Sequence, residues 1–337
     1  MQNIGIVGLG KISQKHITAI QQVKGLTIYA VCDKNKKQLK RATLPNNIVT
    51  YHDYQDLLND NKVHIVDICT PSGLHPDMVI RAANKKKNII VEKPLALYTR
   101  NGIMAIEAAK KNKVKLFVVR QNRYNLPVMA LKKAIRQKRF GKIFYAKTSV
   151  YWHRDQGYYS SAKWRGTRDM DGGVLMNQAS HHIDLLQWLI GSVASVSAKA
   201  RTVLHKIEAE DLAVVLMEFS NKAYGIIEAT TCANPNNLEG TLMVMGSKGT
   251  VILGGYTGEK IKLWDFKEKR KEDEMIIKKY SENPKIFAYP HIEYFKNVKQ
   301  VLDHKSKPIS DGLEELKTTR LIEAIYQSIE KKKVIFL

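Results

Sequence analysis

The chain has 337 residues, 44% of them apolar and 26% charged, a globular composition with enough apolar material for a sizeable core, which excludes a small binding module and a disordered chain. No run approaches the ~18 uninterrupted apolar residues of a membrane span, MQNIGIVGLG lacks the pattern of a signal peptide, and Cys32, Cys69 and Cys232 form no C-x-x-C pair; a reducing, cytoplasmic compartment without a disulfide framework is expected. The net charge of +23 could mark a nucleic-acid partner, but 42 of the 55 basic residues are Lys and are scattered through every segment, so the excess reads as a solvated surface, with neither nucleic acid nor membrane expected as a partner.

From Asn3 to Val119 the short apolar runs IGIVGL, LTIYAVC, VHIVDIC, NIIVE and KLFVV alternate with helical spacing at His16 to Val23, Asp77 to Ala83 and Gly102 to Lys110. Strands that alternate with helices pair in parallel and are covered on both faces, which predicts a doubly wound α/β domain over residues 1–122. Residues 123–337 read as an α+β domain. A helix at Leu131 to Gln137 is followed by a strand at Lys142 to Trp152, a long loop, and an apolar helix from Gly173 to Ile190. Six β-like segments then run from Val193 to Phe266 with no helix between them, and should meander as a large, mostly antiparallel open sheet. Gly246 to Gly249 (GSKG) reads as a hairpin turn, and helices at Tyr294 to Leu302 and Leu313 to Glu330 close the chain. No Pro/Ser-rich linker separates the halves, so they are expected to pack as one body around a cleft.

The first strand runs into Gly8-Leu9-Gly10-Lys11-Ile12-Ser13, a G-x-G-x-x-S form of the dinucleotide fingerprint. The first glycine permits a tight turn, the second lets the backbone approach a pyrophosphate, and the third position must be small for helix and strand to pack. The second strand ends in Cys32-Asp33, about the separation at which a carboxylate takes the adenine ribose hydroxyls and repels a 2′-phosphate, so NAD is expected over NADP. A glycine turn and a surface Asp would explain either feature alone; together they point to a dinucleotide. Thr70-Pro71-Ser72-Gly73 and Glu92-Lys93-Pro94 follow VHIVDIC and NIIVE, at the edge where open α/β sheets hold ligands. Most lysines are solvated, but Lys93 sits on a strand end stiffened by proline, where an ammonium beside an oxidised nicotinamide suits proton transfer.

These strings, GLGKIS, Asp33, TPSGLHP and VEKP in this order, resemble the Gfo/Idh/MocA oxidoreductases over essentially the whole chain. A narrower likeness, in FVVRQNRY, YYSSAKWRGT, DGGVLMNQASHHIDLLQWLIG, IEAED and NLEG, is to the UDP-2-acetamido-2-deoxyglucuronate 3-dehydrogenases of the WlbA/WbpB type. Those enzymes oxidise carbon 3 of a UDP-linked uronic acid ahead of transamination to a 3-amino sugar for surface polysaccharide. The resemblance implies a Rossmann domain joined to an α/β domain with an open sheet, NAD as cofactor, a UDP-sugar substrate and a homo-oligomer, commonly a tetramer. It implies Lys93 and His181 as catalytic residues. It places the cofactor on Gly8, Gly10, Lys11, Ile12, Asp33, Thr70, Pro71, Ser72, His75, Glu92, Lys93, Gln121, Trp164 and Arg165. Substrate contacts fall on Lys93, Arg123, Arg154, Tyr159, Arg165, Asn177 and His181.

Asn177 and His181 are four apart on the predicted helix and so leave from one face. Many members carry Asp where this chain has Asn177, and an amide cannot relay a proton, which moves the acid/base work onto Lys93 and His181. His182 is the rival to His181; the spacing from Asn177 and the resemblance together favour His181. The loop from Trp152 to Arg168 carries Arg154, Tyr158, Tyr159, Trp164, Arg165 and Arg168, either as a packed surface excursion or as a set of guanidinium forks for a diphosphate and a carboxylate. No histidine pair with carboxylates shows metal-ligand spacing, and no metal is expected. A free polyol or inositol dehydrogenase is the alternative within the enzyme class, and a non-catalytic NAD sensor the alternative outside it.

Overall fold

The computed structural model describes residues 1–44, 47–281 and 289–337. The chain divides into two compact units, residues 1–121 with the described part of 286–319, and residues 122–285 in their described part with 320–337.

In the first unit, β1 (Gln2–Val7), β2 (Leu26–Cys32), β3 (Val49–Tyr51), β4 (Ile65–Ile68), β5 (Asn88–Val91) and β6 (Leu116–Val118) form one parallel sheet in the order β3-β2-β1-β4-β5-β6. The helices α1 (Ser13–Gln21), α2 (Lys36–Arg41), α3 (Tyr54–Asn59), α4 (His75–Asn84) and α5 (Thr99–Lys111) supply the crossovers. β3, too short to register as an apolar run, adds an edge to the five expected strands. Every residue of β4 is buried, as a parallel strand covered on both faces requires. Leu57, Val66, Val79, Ile89 and Val91 are fully buried in one cluster, each contributing roughly 1.5–3 kcal/mol relative to exposure. The order reverses between β1 and β4, so the crevice beyond their carboxyl ends is the topological switch point where such sheets bind ligands.

In the second unit, α6 (Leu126–Arg136) leads to β7 (Ile143–Tyr151), α7 (Gln156–Ser160) and α8 (Ser180–Ile190). The strands β8 (Val193–Arg201), β9 (Leu212–Phe219), β10 (Tyr224–Thr230), β11 (Glu239–Gly246), β12 (Gly249–Gly254) and β13 (Lys260–Phe266) follow, then α9 (Lys271–Tyr280). With β14 (Ile335–Phe336), the eight strands lie in the order β13-β12-β11-β7-β10-β9-β8-β14. All pairs are antiparallel except β7 with β10. The expected meander is therefore interrupted: the connection from 231 to 238 is no hairpin turn, and β7 enters between the strands that flank it. Gly246 and Gly249 do pair across the GSKG turn.

α8 packs on β7 and β11, α6 on β12 and α9 on β13. α9 lies in a charged stretch with little apolar periodicity; Asp273 caps it while accepting a fork from Arg139 at 2.6 and 2.7 Å and the Trp264 indole N–H at 2.7 Å. α10 (Tyr289–Leu302) returns to the first unit and packs on α1. α11 (Gly312–Lys331) begins in the first unit and ends in the second. Among the described residues no helix is long and apolar enough to cross a membrane.

Candidate active site

Gly8 turns the chain at the end of β1 with φ +89°, and a Cβ there would stand 2.8 Å from the Cys69 carbonyl oxygen beyond β4. Only glycine fits so close to a neighbouring backbone. Gly10 is exposed and a Cβ on it would meet nothing within 4 Å, so its backbone is open to a ligand. Lys11 is exposed and Ile12 half-buried at the entry to α1, which has no side-chain N-cap bond; its leading N–H groups suit an anion. Ser13 is buried and donates to the Gly10 carbonyl at 2.7 Å, closing the third fingerprint position. Beyond β2, Asp33 accepts the Leu9 N–H on Oδ2 at 2.8 Å and the Asn35 N–H on Oδ1 at 2.8 Å. The carboxylate is thereby aimed beside the glycine turn, and the whole arrangement fits an adenine dinucleotide.

Thr70 and Pro71 are half-buried after β4, and Ser72 opens a short 3-10 turn into α4. The buried His75 sits with Nδ1 2.7 Å from the Pro94 carbonyl and Nε2 2.8 Å from that of Thr70. Glu92 is buried, and its Oε2 accepts the Lys93 peptide N–H at 3.0 Å. Lys93 is half-buried, joined to Pro94 by a cis peptide, and Gln121 is half-buried in the turn after β6. Beneath this edge lies a group that sequence reasoning missed. His16 is fully buried, with Nδ1 2.9 Å from Asp67 Oδ2 and Nε2 3.0 Å from Glu92 Oε1. Ligand-capable atoms of His16, Glu92 and His291 lie within 4.8 Å of one another, although both His16 nitrogens are already engaged. The signal was Asp67 inside the apolar run VHIVDIC, since a carboxylate on a strand buried on both faces demands a buried partner.

In the second unit His181 is half-buried in the first turn of α8, whereas His182 is fully buried, with its ring edge-on to Trp152 at 6.0 Å. Burial pushes the His182 pKa down to about 4, so it is a neutral core residue. The predicted start of the helix at Gly173 is corrected to Ser180. Glu210 explains the shift: its carbonyl takes the Val174 N–H at 2.9 Å, its carboxylate takes the Leu175 N–H at 3.1 Å, and the missing side chain of Gly173 leaves room for it. Asn177 therefore lies in the turn before α8, not on it, with its amide donating to the buried Asp171. Arg123 is buried and forks onto Asp184 of α8 at 2.9 and 2.7 Å.

The loop residues form a layered stack. Arg154 lies 5.2 Å from the ring centres of both Trp152 and Tyr158. Arg165 lies 4.2 Å from Tyr158 and 4.4 Å from Trp164. Arg154 also donates to the His153 carbonyl at 2.6 Å, and Arg165 to the Tyr158 hydroxyl at 2.5 Å. Tyr159 is buried at the base of the loop, its hydroxyl 2.8 Å from Thr231 Oγ1. Arg168 is exposed, its backbone N–H held by Glu208 at 3.1 Å. Stacking on aromatic faces pre-organises a guanidinium while leaving its charge available.

Residues 2–120 match the NAD-binding Rossmann fold of the oxidoreductase family, and residues 132–337 match its C-terminal alpha/beta domain. The chain belongs to the Gfo/Idh/MocA family and is an NAD-dependent dehydrogenase acting on a CH–OH group. The WlbA dehydrogenase from Bordetella pertussis, solved in complex with NADH and UDP-GlcNAcA, is 38% identical, with 100% of this chain and 97% of that one covered and a TM-score of 0.96. That from Chromobacterium violaceum, in complex with the same pair, is 37% identical, with 100% and 96% covered and a TM-score of 0.94. A myo-inositol 2-dehydrogenase from Thermotoga maritima is 27% identical over 74% of each chain.

Proposed function

We propose that this chain oxidises the 3-hydroxyl of a UDP-linked N-acetylated uronic acid, UDP-2-acetamido-2-deoxyglucuronate, to the 3-keto sugar for surface polysaccharide synthesis, and that it acts as a homo-oligomer, a tetramer. The observation that carries this reading is the full-length likeness, at 38% identity, to a dehydrogenase bound to NADH and UDP-GlcNAcA. NAD, when bound, accepts the hydride. Gly8, Gly10, Lys11 and Ile12 hold its pyrophosphate, Asp33 its adenine ribose, and the edge formed by Thr70, Pro71, Ser72, His75, Glu92 and Lys93, with Gln121, the remainder.

His181 is the base that takes the proton of the substrate hydroxyl, assisted by the charge of Lys93. The burial of His182 against Trp152 supports the choice of His181. Asn177, oriented by Asp171, holds a sugar hydroxyl. Arg154 and Arg165, with Trp164, bring charge and multiple donors to the anionic parts of the ligands, while Tyr159 anchors their loop. Arg123, committed to Asp184, serves by holding α8 in place.

An anion removed from water needs a charged or multiply donating partner, and a site built for one loses several kcal/mol when the anion is missing. The native chain should therefore oxidise UDP-2-acetamido-2-deoxyglucuronate at least ~100-fold more efficiently than UDP-N-acetylglucosamine, and free polyols hardly at all. Initial rates of NADH formation on these substrates test it. Efficient oxidation of free inositol with no response to the UDP-uronate would overturn the substrate assignment and leave the family and cofactor intact.

A further inference from the structure

His16, Asp67 and Glu92 form a buried charged relay that hydride transfer itself does not use. A carboxylate lies on each ring nitrogen of His16, Asp67 at 2.9 Å and Glu92 at 3.0 Å, so both nitrogens donate and the ring is an imidazolium. Burial alone would lower its pKa, but the charge and hydrogen bond of Asp67, joined by Cys69, outweigh burial and raise it well above the usual histidine value. Burial would raise that of Glu92, yet the hydrogen bond and charge of His16, with the charge of Lys93, hold it at about 2. Glu92 passes its second oxygen to the Lys93 peptide N–H at 3.0 Å, and His75 stands 2.7 Å from the Pro94 carbonyl. The E-K-P turn is thus pinned at both ends by buried groups.

The geometry points to His16 as a positioning residue for Lys93, acting through Glu92: the ring clamps the carboxylate that holds the Lys93 peptide. The inference rests on the reading of Lys93 as the charged donor that assists at the substrate hydroxyl. The other groups around the ring do not compete for this role. The Cys69 thiol, 3.4 Å from Nδ1, is pushed up to about 12 by burial, and His291 of α10, with ring centres 5.7 Å apart, is pushed down to about 3 by burial and the His16 charge. Both are uncharged at neutral pH. Burial also lowers the pKa of His75, and Lys15, next to His16 on α1, is exposed. One imidazolium between two carboxylates leaves a single negative charge in excess near Lys93, which favours its ammonium form.

Competitive acetylation of lysines with acetic anhydride across the alkaline range, read peptide by peptide by mass spectrometry, reports the Lys93 titration without any substrate. Glu92→Gln removes the negative charge in excess beside Lys93 while His16 and Asp67 stay paired with each other. The Lys93 midpoint should fall by about 1 pH unit, and kcat by ~10-fold or more with KM for the sugar nucleotide within about twofold. His16→Gln keeps a donor toward Glu92, whereas the shorter amide of His16→Asn reaches Asp67 alone. The Gln variant should therefore retain more turnover, a rescue that a packing role would not produce. An unmoved midpoint in Glu92→Gln, beside an inactive Lys93→Met, overturns this inference alone. Normal turnover by Lys93→Met overturns the catalytic reading of Lys93 and this inference with it.

Discussion

Asp33 does two things with one carboxylate. It fixes the glycine turn through the Leu9 N–H at 2.8 Å, and in the ribose-binding role proposed for it its charge would repel a 2′-phosphate, two anions that cannot share a site without a large penalty. The native chain should use NAD at least ~100-fold more efficiently than NADP, and Asp33→Asn should narrow that gap ~10-fold or more. Initial rates with the two cofactors check this; equal use by the native chain would put Asp33 away from the ribose. The adjacent histidines divide as sharply. His181→Ala should lower kcat ~100-fold or more while NADH affinity and thermal stability stay close to native. His182→Ala should do the reverse, opening a cavity under Trp152 at a cost of about 2–4 kcal/mol while the folded fraction still turns over. Melting curves beside steady-state rates separate the two, and an inactive His182→Ala with an active His181→Ala would reverse the assignment.

At the scale of elements, α8 carries His181 and is held by the buried pair of Arg123 and Asp184. Breaking such a pair on one side leaves a buried charge without compensation. Arg123→Met should therefore destabilise by about 3–5 kcal/mol, and Arg123→Met with Asp184→Leu should recover most of that loss. Denaturant melts of the single and double variants measure it; a single variant as stable as the native chain would show that the pair does not hold the helix. What was legible in sequence at this scale followed periodicity. The apolar strands β1, β2, β4, β5 and β6 of the first unit, the G-x-G turn and the E-K-P strand end all lie where local pattern and structure agree. What was not legible depends on contacts distant in sequence. The start of α8 at Ser180 is set by Glu210, the cap of α9 by Arg139, the place of β7 by pairing on both its edges, and the setting of His16 by Asp67 and Glu92. No local window contains both partners of any of these.

At the scale of the whole molecule the second unit presents an uncovered sheet face. Val214 and Leu216 on β9 and Tyr224 on β10 share it, and they are 51%, 53% and 58% exposed. An antiparallel sheet open to water would carry polar side chains at these positions, and these exposed apolar side chains are what the expected contact between copies would cover. Lys147 and Glu228 lie on the same face and pair with each other at 2.5 Å, and the register also brings Lys199, Arg201 and Glu218 to it. Two copies meeting on it would bury apolar side chains, and the repulsion between the charges on the face would be weakened by salt. The native chain should accordingly run as a species larger than a monomer in light scattering after size exclusion, and more firmly so as salt is raised. Val214→Lys with Leu216→Lys removes two half-exposed apolar side chains from the contact and adds like charges across it. That variant should dissociate to smaller species at concentrations where the native chain remains assembled, with the NADH affinity of the first unit unchanged. A native chain that is monomeric at every concentration, or a double variant that assembles as before, would rule this face out as the contact.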